Sequence, residues 1–317
     1  METVSTAFGK ATLTLETGKL AKQANGSILV RYGDTVVLVA ATADKGSGVG
    51  ADFFPLSVHY VEKAYAAGRI PGGFFKREGR LSESETLTSR LIDRPLRPSF
   101  DENYLAETLI MATVLSSDQD NAPDIAAMIG ASAALCVSDI PFYQPIGGIR
   151  VGRINGEFVV NPTATELEES ELNIIMAASK DAILMVEGEA KEVSEEVMLD
   201  ALWFGQEQIQ PIIQIQEELM QRCGKPKREV AIPEIDEELR TKVTAASQPK
   251  LVEALRITEK QERYQRLDAV VDEVLAEVFP EGSEPSNDAV GQAKSVIGSV
   301  KKKVMRERIL KDQIRID

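Results

Sequence analysis

The sequence predicts an α+β unit with a mixed sheet, followed by an all-α helical bundle. Three observations carry this. Up to about Gly188, short β-branched runs are separated by Gly-bearing turns. One stretch inside that region, Pro123 to Val137, is rich in Ala and Gly and has its larger apolar residues near helical spacing. After Gly188 the apolar residues recur every three or four positions, the period of amphipathic helices.

In chain order, Gly26 to Tyr32 and Thr35 to Thr42 read as strands joined at Gly33-Asp34, a dipeptide that favours a hairpin turn. Ser82 and Glu85 have the S-x-x-E spacing of a capping box, so a helix opens there, with Leu87 and Leu91 on one face and Pro95 as its end. Leu109 to Leu115 is a strand, and Pro123 to Val137 a helix packed closely on a sheet. Ile149 to Val151, Phe158 to Val160, Ile174 to Ala178 and Ile183 to Val186 are further strands. Val193, Val197, Leu202, Ile209, Ile212 and Leu219 mark one long helix that stops near Gly224. The expected domains are therefore 1–224 and 225–317, with Lys225 to Pro233 as a polar linker. In the second domain, Tyr264 to Val278 and Val290 to Val304 are helical, separated by a break at Phe279 to Ser286, and Pro249 marks a kink or boundary. No short-period repeat is present.

The 317 residues and 43% hydrophobic content suffice for two cores. No apolar run is long enough to span a bilayer, and Met1 to Ser5 lacks a basic region leading into an apolar one, so a cytoplasmic protein without a membrane partner is expected. Cys136 and Cys223 sit among apolar neighbours and read as reduced, buried thiols. A net charge of −14 argues against a surface that coats nucleic acid everywhere. Arg69 to Arg97, however, holds seven basic against four acidic residues, a local +3.

Within that basic stretch, Phe74-Phe75-Lys76-Arg77 lies between glycines. Rings that stack on bases beside cations that meet phosphates are how single-stranded nucleic acid is held without sequence preference. A turn with both rings tucked into the core is the other reading of the same residues. Arg90 and Arg94 share a helix face and can grip successive phosphates, or can pair with Asp93, Glu83 or a neighbouring subunit. His59 is the only histidine, which leaves no triad or zinc site. Gly46 to Gly50 lacks the lysine and helix of a phosphate loop and reads as a hairpin tip; Trp203 reads as core or interface.

The run FFKREGRLSESETLTSRLIDRPLRPSF at Phe74 to Phe100 resembles the polynucleotide phosphorylase family. RYGDTVVLVAAT at Arg31 to Thr42, FFPLSVHYVEKAYAAGRIPGG at Phe53 to Gly73 and DNAPDIAAMIGASAAL at Asp120 to Leu135 agree with it. The resemblance covers the whole chain. It implies a first domain of RNase PH type, with the fold of ribosomal protein S5 domain 2, then the family's all-helical domain. It also implies a homotrimeric ring, single-stranded RNA threading a central channel, phosphorolysis of mRNA from the 3′ end into nucleoside diphosphates, and degradosome-type RNase or helicase partners. The family's constriction loop falls on Phe74, Phe75, Lys76 and Arg77, and the expected RNA-binding set adds Arg80, Arg90 and Arg94 from the same basic stretch. Mg²⁺ and inorganic phosphate belong, in the family, to a second RNase PH domain, expected with the KH and S1 modules beyond Asp317. No catalytic or metal-binding residue is therefore assigned in this chain. Asp118 and Asp124 are spaced like the metal-binding acids of that second domain, but Ala126 and Met128 stand where the active version has an acid and a lysine. The expectation is a degenerate site whose Asp118 to Asp124 segment caps the Pro123 helix. The alternatives are a non-catalytic RNA-binding, ring-forming module and a self-sufficient RNase PH-like enzyme.

Overall fold

The turn at Gly33-Asp34 sets the register of the first sheet. Strands β3 (Gly26–Tyr32) and β4 (Thr35–Ala43) pair antiparallel with Tyr32 opposite Thr35. Gly33 has φ +61°, and a Cβ there would lie 2.4 Å from Asn121 Nδ2. Glycine is thus required by both the left-handed turn and the loop that presses on it. The computed structural model describes residues 1–46, 53–72, 78–230, 236–280 and 285–316, which fall into two units, Met1–Ala231 and Ile232–Asp317.

In the first unit, β1 (Glu2–Phe8), β2 (Ala11–Thr17), β5 (Leu56–Glu62) and β6 (Thr108–Ser116) complete a six-stranded sheet of order β1-β2-β3-β4-β6-β5. All neighbours run antiparallel except β5 and β6. The strands at Glu2–Phe8 and Ala11–Thr17 escape the sequence reading because their outer positions are Thr, Ser and Glu. Only Val4, Phe8, Leu13 and Leu15 bring apolar side chains into the core. A second sheet, order β10-β9-β7-β8, is formed by β7 (Gly147–Ile154), β8 (Glu157–Val160), β9 (Leu172–Ala178) and β10 (Ile183–Ala190).

Helix α2 (Pro123–Val137) fills the core beside both sheets, with 13 of its 15 residues buried. Gly130 permits this: a Cβ there would come within 2.6 Å of Val39 Cγ2 and 2.7 Å of Val30 Cγ2. The Ser132 hydroxyl accepts the Ile146 N–H at 2.7 Å and so fixes the approach to β7. A short α3 (Ala164–Glu169) joins β8 to β9.

The long α4 (Glu195–Cys223) covers the second sheet and ends at Gly224, as its periodicity predicts. Residues Lys225 to Val230 are then tied to the first unit. Lys227 Nζ donates to the carbonyls of Leu135, Cys136 and Ser138 at 2.8–2.9 Å, and Arg228 pairs with Asp139 at 2.8 Å. Cys136 is buried and Cys223 half-buried, both as free thiols; burial pushes the Cys136 thiol up to about 12.

Helix α1 (Glu83–Leu96) runs through Pro95 instead of ending on it, because the Arg97 N–H still reaches the Asp93 carbonyl and a 3-10 turn, Arg97–Ser99, continues the path.

The second unit contains α5 (Glu237–Ala254), α6 (Lys260–Val278) and α7 (Asn287–Asp312). Leu239, Val243, Leu251, Val270, Val274, Ala293, Ile297 and Val300 form its core. Helix α5 crosses Pro249 unbroken. At one end the Asp236 N–H donates to Gln292 Oε1, and at the other the Arg308 guanidinium donates to the Leu255 carbonyl, so α5 and α7 run parallel. Among the described residues no helix is long and apolar enough to cross a membrane.

Candidate functional site

The capping box expected at Ser82 is formed: its hydroxyl accepts the Glu85 N–H, while Glu85 accepts the Ser82 N–H at 2.6 Å. The other Glu85 oxygen takes the Glu62 N–H at 2.8 Å, and Ser89 accepts the Tyr60 N–H at 2.9 Å. Helix α1 is thereby clamped along β5, the edge of the first sheet. Burial pushes the Glu85 carboxyl up, but the bonds from the Ser82 and Glu62 amides outweigh it and hold the group below its ordinary value.

This clamp decides where the arginines of α1 point. Arg90 is exposed, beside His59, Asp93 and Arg97, and has no partner among the described residues. Arg94 pairs with Glu187 of β10 at 2.6 Å, a partner not foreseen from the sequence. Both side chains of that pair are about half exposed, 51% and 53%, so it holds Arg94 only weakly. Arg97 instead is fixed, to both oxygens of Asp93 and to the carbonyls of Phe54 and Leu56. Arg80 is exposed without a partner among the described residues. Phe74, Phe75, Lys76 and Arg77 lie outside the described residues, as do 47–50 of the expected hairpin tip. On the near side of that basic-aromatic segment, the Glu78 carboxylate accepts the Ala64 N–H at 2.6 Å and meets Lys63 at 3.2 Å, which joins the chain on its two sides.

Between α1, the first turn of α2 and the second sheet lies a cleft of about 550 Å³, lined by Glu83, Leu87, Asp124, Arg150, Asn173 and Glu187 among others. Asp118 and Asp124 are the acids whose spacing suggested a lost metal site. Asp118 does not cap α2. It turns back to the β3–β4 hairpin and accepts from the Asp34, Asp120 and Asn121 amides, the Thr35 hydroxyl and Asn121 Nδ2, at 2.7–3.0 Å. The N-cap position of α2 is Ala122, and Pro123 at the first turn has no N–H to satisfy. Burial raises the Asp118 pKa, yet the bonds from Asn121, Asp34 and Thr35 bring it down to about 2.

Asp124 directs Oδ1 to the Ile125 N–H at 2.7 Å and Oδ2 to the Arg150 guanidinium at 2.6 Å. A divalent cation needs open carboxylate oxygens. Five donors use up the roughly four lone-pair sites of Asp118, and a guanidinium already neutralises Asp124. These residues do not fit Mg²⁺. Met128 is fully buried, its sulfur 2.6 Å from where a Cβ on Gly148 would stand, so the position at which the resemblance implied a lost lysine is part of the core.

Sequence reasoning missed Arg150, Asn173 and Glu187, which reach the cleft from strands distant in the chain. Of the two places expected for Trp203, the core is excluded: the indole is 66% exposed, on the outer face of α4 beside the outward Leu199. The sequence reading also left out the run of cations on α7. From Lys294 to Lys311 there are seven basic residues and one acid, Glu307, a local +6 visible as Lys301-Lys302-Lys303.

Comparison with known families matches residues 11–141 to the 3′ exoribonuclease family, domain 1, and 144–208 to its domain 2. Residues 238–317 match the RNA binding domain of polyribonucleotide nucleotidyltransferase. Among curated relatives, the polyribonucleotide nucleotidyltransferase of Geotalea uraniireducens is 54% identical over 318 residues, covering 100% of this chain and 45% of that protein. That of Geobacter sulfurreducens is 54% identical over 316 residues, with 99% and 44% covered. That of Citrifermentans bemidjiense is 52% identical over 308 residues, with 96% and 43% covered. The chain thus spans less than half the length of these relatives. Domain 1 and domain 2 of the 3′ exoribonuclease family and the RNA binding domain of polyribonucleotide nucleotidyltransferase thus match in succession along the chain, which is similar over its whole length to part of these polyribonucleotide nucleotidyltransferases.

Proposed function

We propose that this chain is the RNA-binding and ring-forming part of a phosphate-dependent 3′-to-5′ exoribonuclease and nucleotidyltransferase. In the forward direction inorganic phosphate attacks the terminal phosphodiester and a nucleoside diphosphate leaves; in reverse the diphosphate extends the chain and phosphate is released. Single-stranded RNA is the substrate, three copies form the ring, and the enzyme works in the cytoplasm with degradosome-type RNase or helicase partners. Mg²⁺ and phosphate act at residues outside this chain. The succession of two exoribonuclease domains and an RNA-binding domain carries the reading. The Asp124–Arg150 pair favours a second reading for the chain by itself, a non-catalytic RNA-binding module.

RNA is engaged by Phe74 and Phe75 through stacking and by Lys76, Arg77, Arg80, Arg90 and Arg94 through phosphates. Arg80 and Arg90 are exposed without partners among the described residues, and Arg94 is held by a pair worth about 0–1 kcal/mol, so these cations are available at little cost. Fluorescence anisotropy with labelled poly(A) at several salt concentrations tests this. Phe74→Ala/Phe75→Ala should weaken binding by about 1–3 kcal/mol per stacked base with an unchanged salt slope. Lys76→Ala/Arg77→Ala should lower the slope by up to about one unit per charge. Wild-type affinity and slope in both variants would refute the assignment of the loop.

A further inference from the structure

We propose that the groove between the parallel helices α5 and α7 binds the phosphodiester backbone of single-stranded RNA through Arg240, Thr244, Ser295, Ser299 and Lys303. The inference rests on the RNA reading above and gives the second unit a defined contact surface.

The groove follows from the helix pairing. With Asp236 bonded to Gln292 at one end and Leu255 to Arg308 at the other, successive turns of α5 and α7 lie side by side. Arg240 and Thr244, four residues apart, form one wall. Ser295, Ser299 and Lys303, again four apart, form the other. Buried Val296 and Val300 close the floor beneath a space of about 270 Å³. Side chains four apart on a helix repeat about every 6 Å along the axis. Two such ladders in parallel present donors in step with one another, as a strand of successive phosphates requires.

The lining chemistry selects an anion. Two cations and three hydroxyls face the space, and no carboxylate lines it. Lys303 has no ion pair among the described residues, in contrast to Lys242, Lys250 and Lys311, which pair with Glu238, Glu277 and Glu307. The pair Arg240–Glu237, at 3.3 Å between exposed side chains, is the one contact to be exchanged. The hydroxyls are also uncommitted. Thr241 and Ser247 on α5 donate to carbonyls of their own helix at Glu237 and Thr244, whereas the side-chain hydroxyls of Thr244, Ser295 and Ser299 have no hydrogen-bond partner among the described residues. Serine is a poorer helix former than alanine, so two outward serines on one stripe of α7 weaken the helix without a packing return. Finally, α7 carries the local +6 in a chain of net −14, which directs a polyanion to this helix.

The test uses the whole 317-residue chain and labelled poly(A), with affinity measured against salt. Ser295→Ala/Ser299→Ala should weaken binding about three- to tenfold at an unchanged salt slope, since neutral hydroxyls release no counterion. Lys303→Ala should weaken it and lower the slope by about one unit, more than Lys302→Ala, its outward neighbour, does. All four positions are exposed, so unchanged circular dichroism and Tm are expected to accompany these effects. Equal effects of Lys302→Ala and Lys303→Ala with a neutral serine double variant would mean diffuse attraction and overturn the groove. The same result alongside a loss of affinity on substituting Phe74 to Arg77 would overturn the groove and leave the RNA reading standing. Absence of any poly(A) binding by the wild-type chain would sink both. A further arm adds inorganic phosphate: displacement of RNA by phosphate beyond that by chloride at equal ionic strength would identify a free-phosphate site and contradict the RNA assignment.

Discussion

Arg150 Nη2 lies 2.6 Å from Asp124 Oδ2, joining the middle of β7 to the first turn of α2, and its other terminal nitrogen donates to Asn173 of β9 at 2.6 Å. One guanidinium therefore links the core helix to two strands of the second sheet, with side-chain exposures of 12% for Arg150 and 17% for Asp124. The pair occupies the place where the spacing of acids would otherwise suggest a metal.

Removing one member should strand the other in a poorly solvated site. Asp124→Asn is expected to cost about 2 to 4 kcal/mol in urea unfolding, and Asp124→Asn/Arg150→Met to recover much of it. Additive losses in this double-mutant cycle would show that the two side chains do not act as a pair.

Asp118 makes a prediction about acid. Its carboxyl falls from 3.8 to about 2 on folding. A depressed carboxyl pKa contributes stability that is present above the unfolded value and lost as pH falls through the folded one. Asp118→Asn should therefore lower Tm at pH 6, and the gap to wild type should close between about pH 4 and pH 2. A gap that stays constant across that window would contradict the hydrogen-bond account.

Lys227 caps the C-terminal end of α2 from a segment that follows α4. Three carbonyls converge on one ammonium at 2.8–2.9 Å, a geometry that suits the point charge of lysine and not the planar fork of arginine. Lys227→Met should destabilise the first unit by about 1 to 3 kcal/mol, and Lys227→Arg should not restore it. Full rescue by arginine in chemical denaturation would argue against the convergent cap.

Local chemistry explains what the sequence made legible. The hairpin at Gly33-Asp34, the capping box at Ser82 and the limits of α2 and α4 depend on residues within a few positions of one another. What was missed depends on distance in the chain. Arg150 meets Asp124 across 26 residues, and Arg94 meets Glu187 across 93, so neither pairing has a spacing to read. The strands at Glu2–Phe8 and Ala11–Thr17 carry too few apolar residues to stand out, and gain their place from Leu13 and Leu15 packing into a core assembled elsewhere. The α7 cations were visible as a run, but only the parallel pairing with α5 sets Lys303 apart from Lys301 and Lys302.

On the function proposed above, this chain holds RNA without cleaving it. The most direct measurement is nucleotide release from poly(A) by the purified chain in phosphate and Mg²⁺. The expected result is poly(A) of unchanged length and no ADP above background. Phosphate-dependent ADP release that is abolished by Asp124→Ala would contradict the account and make the cleft at Arg150 an active site.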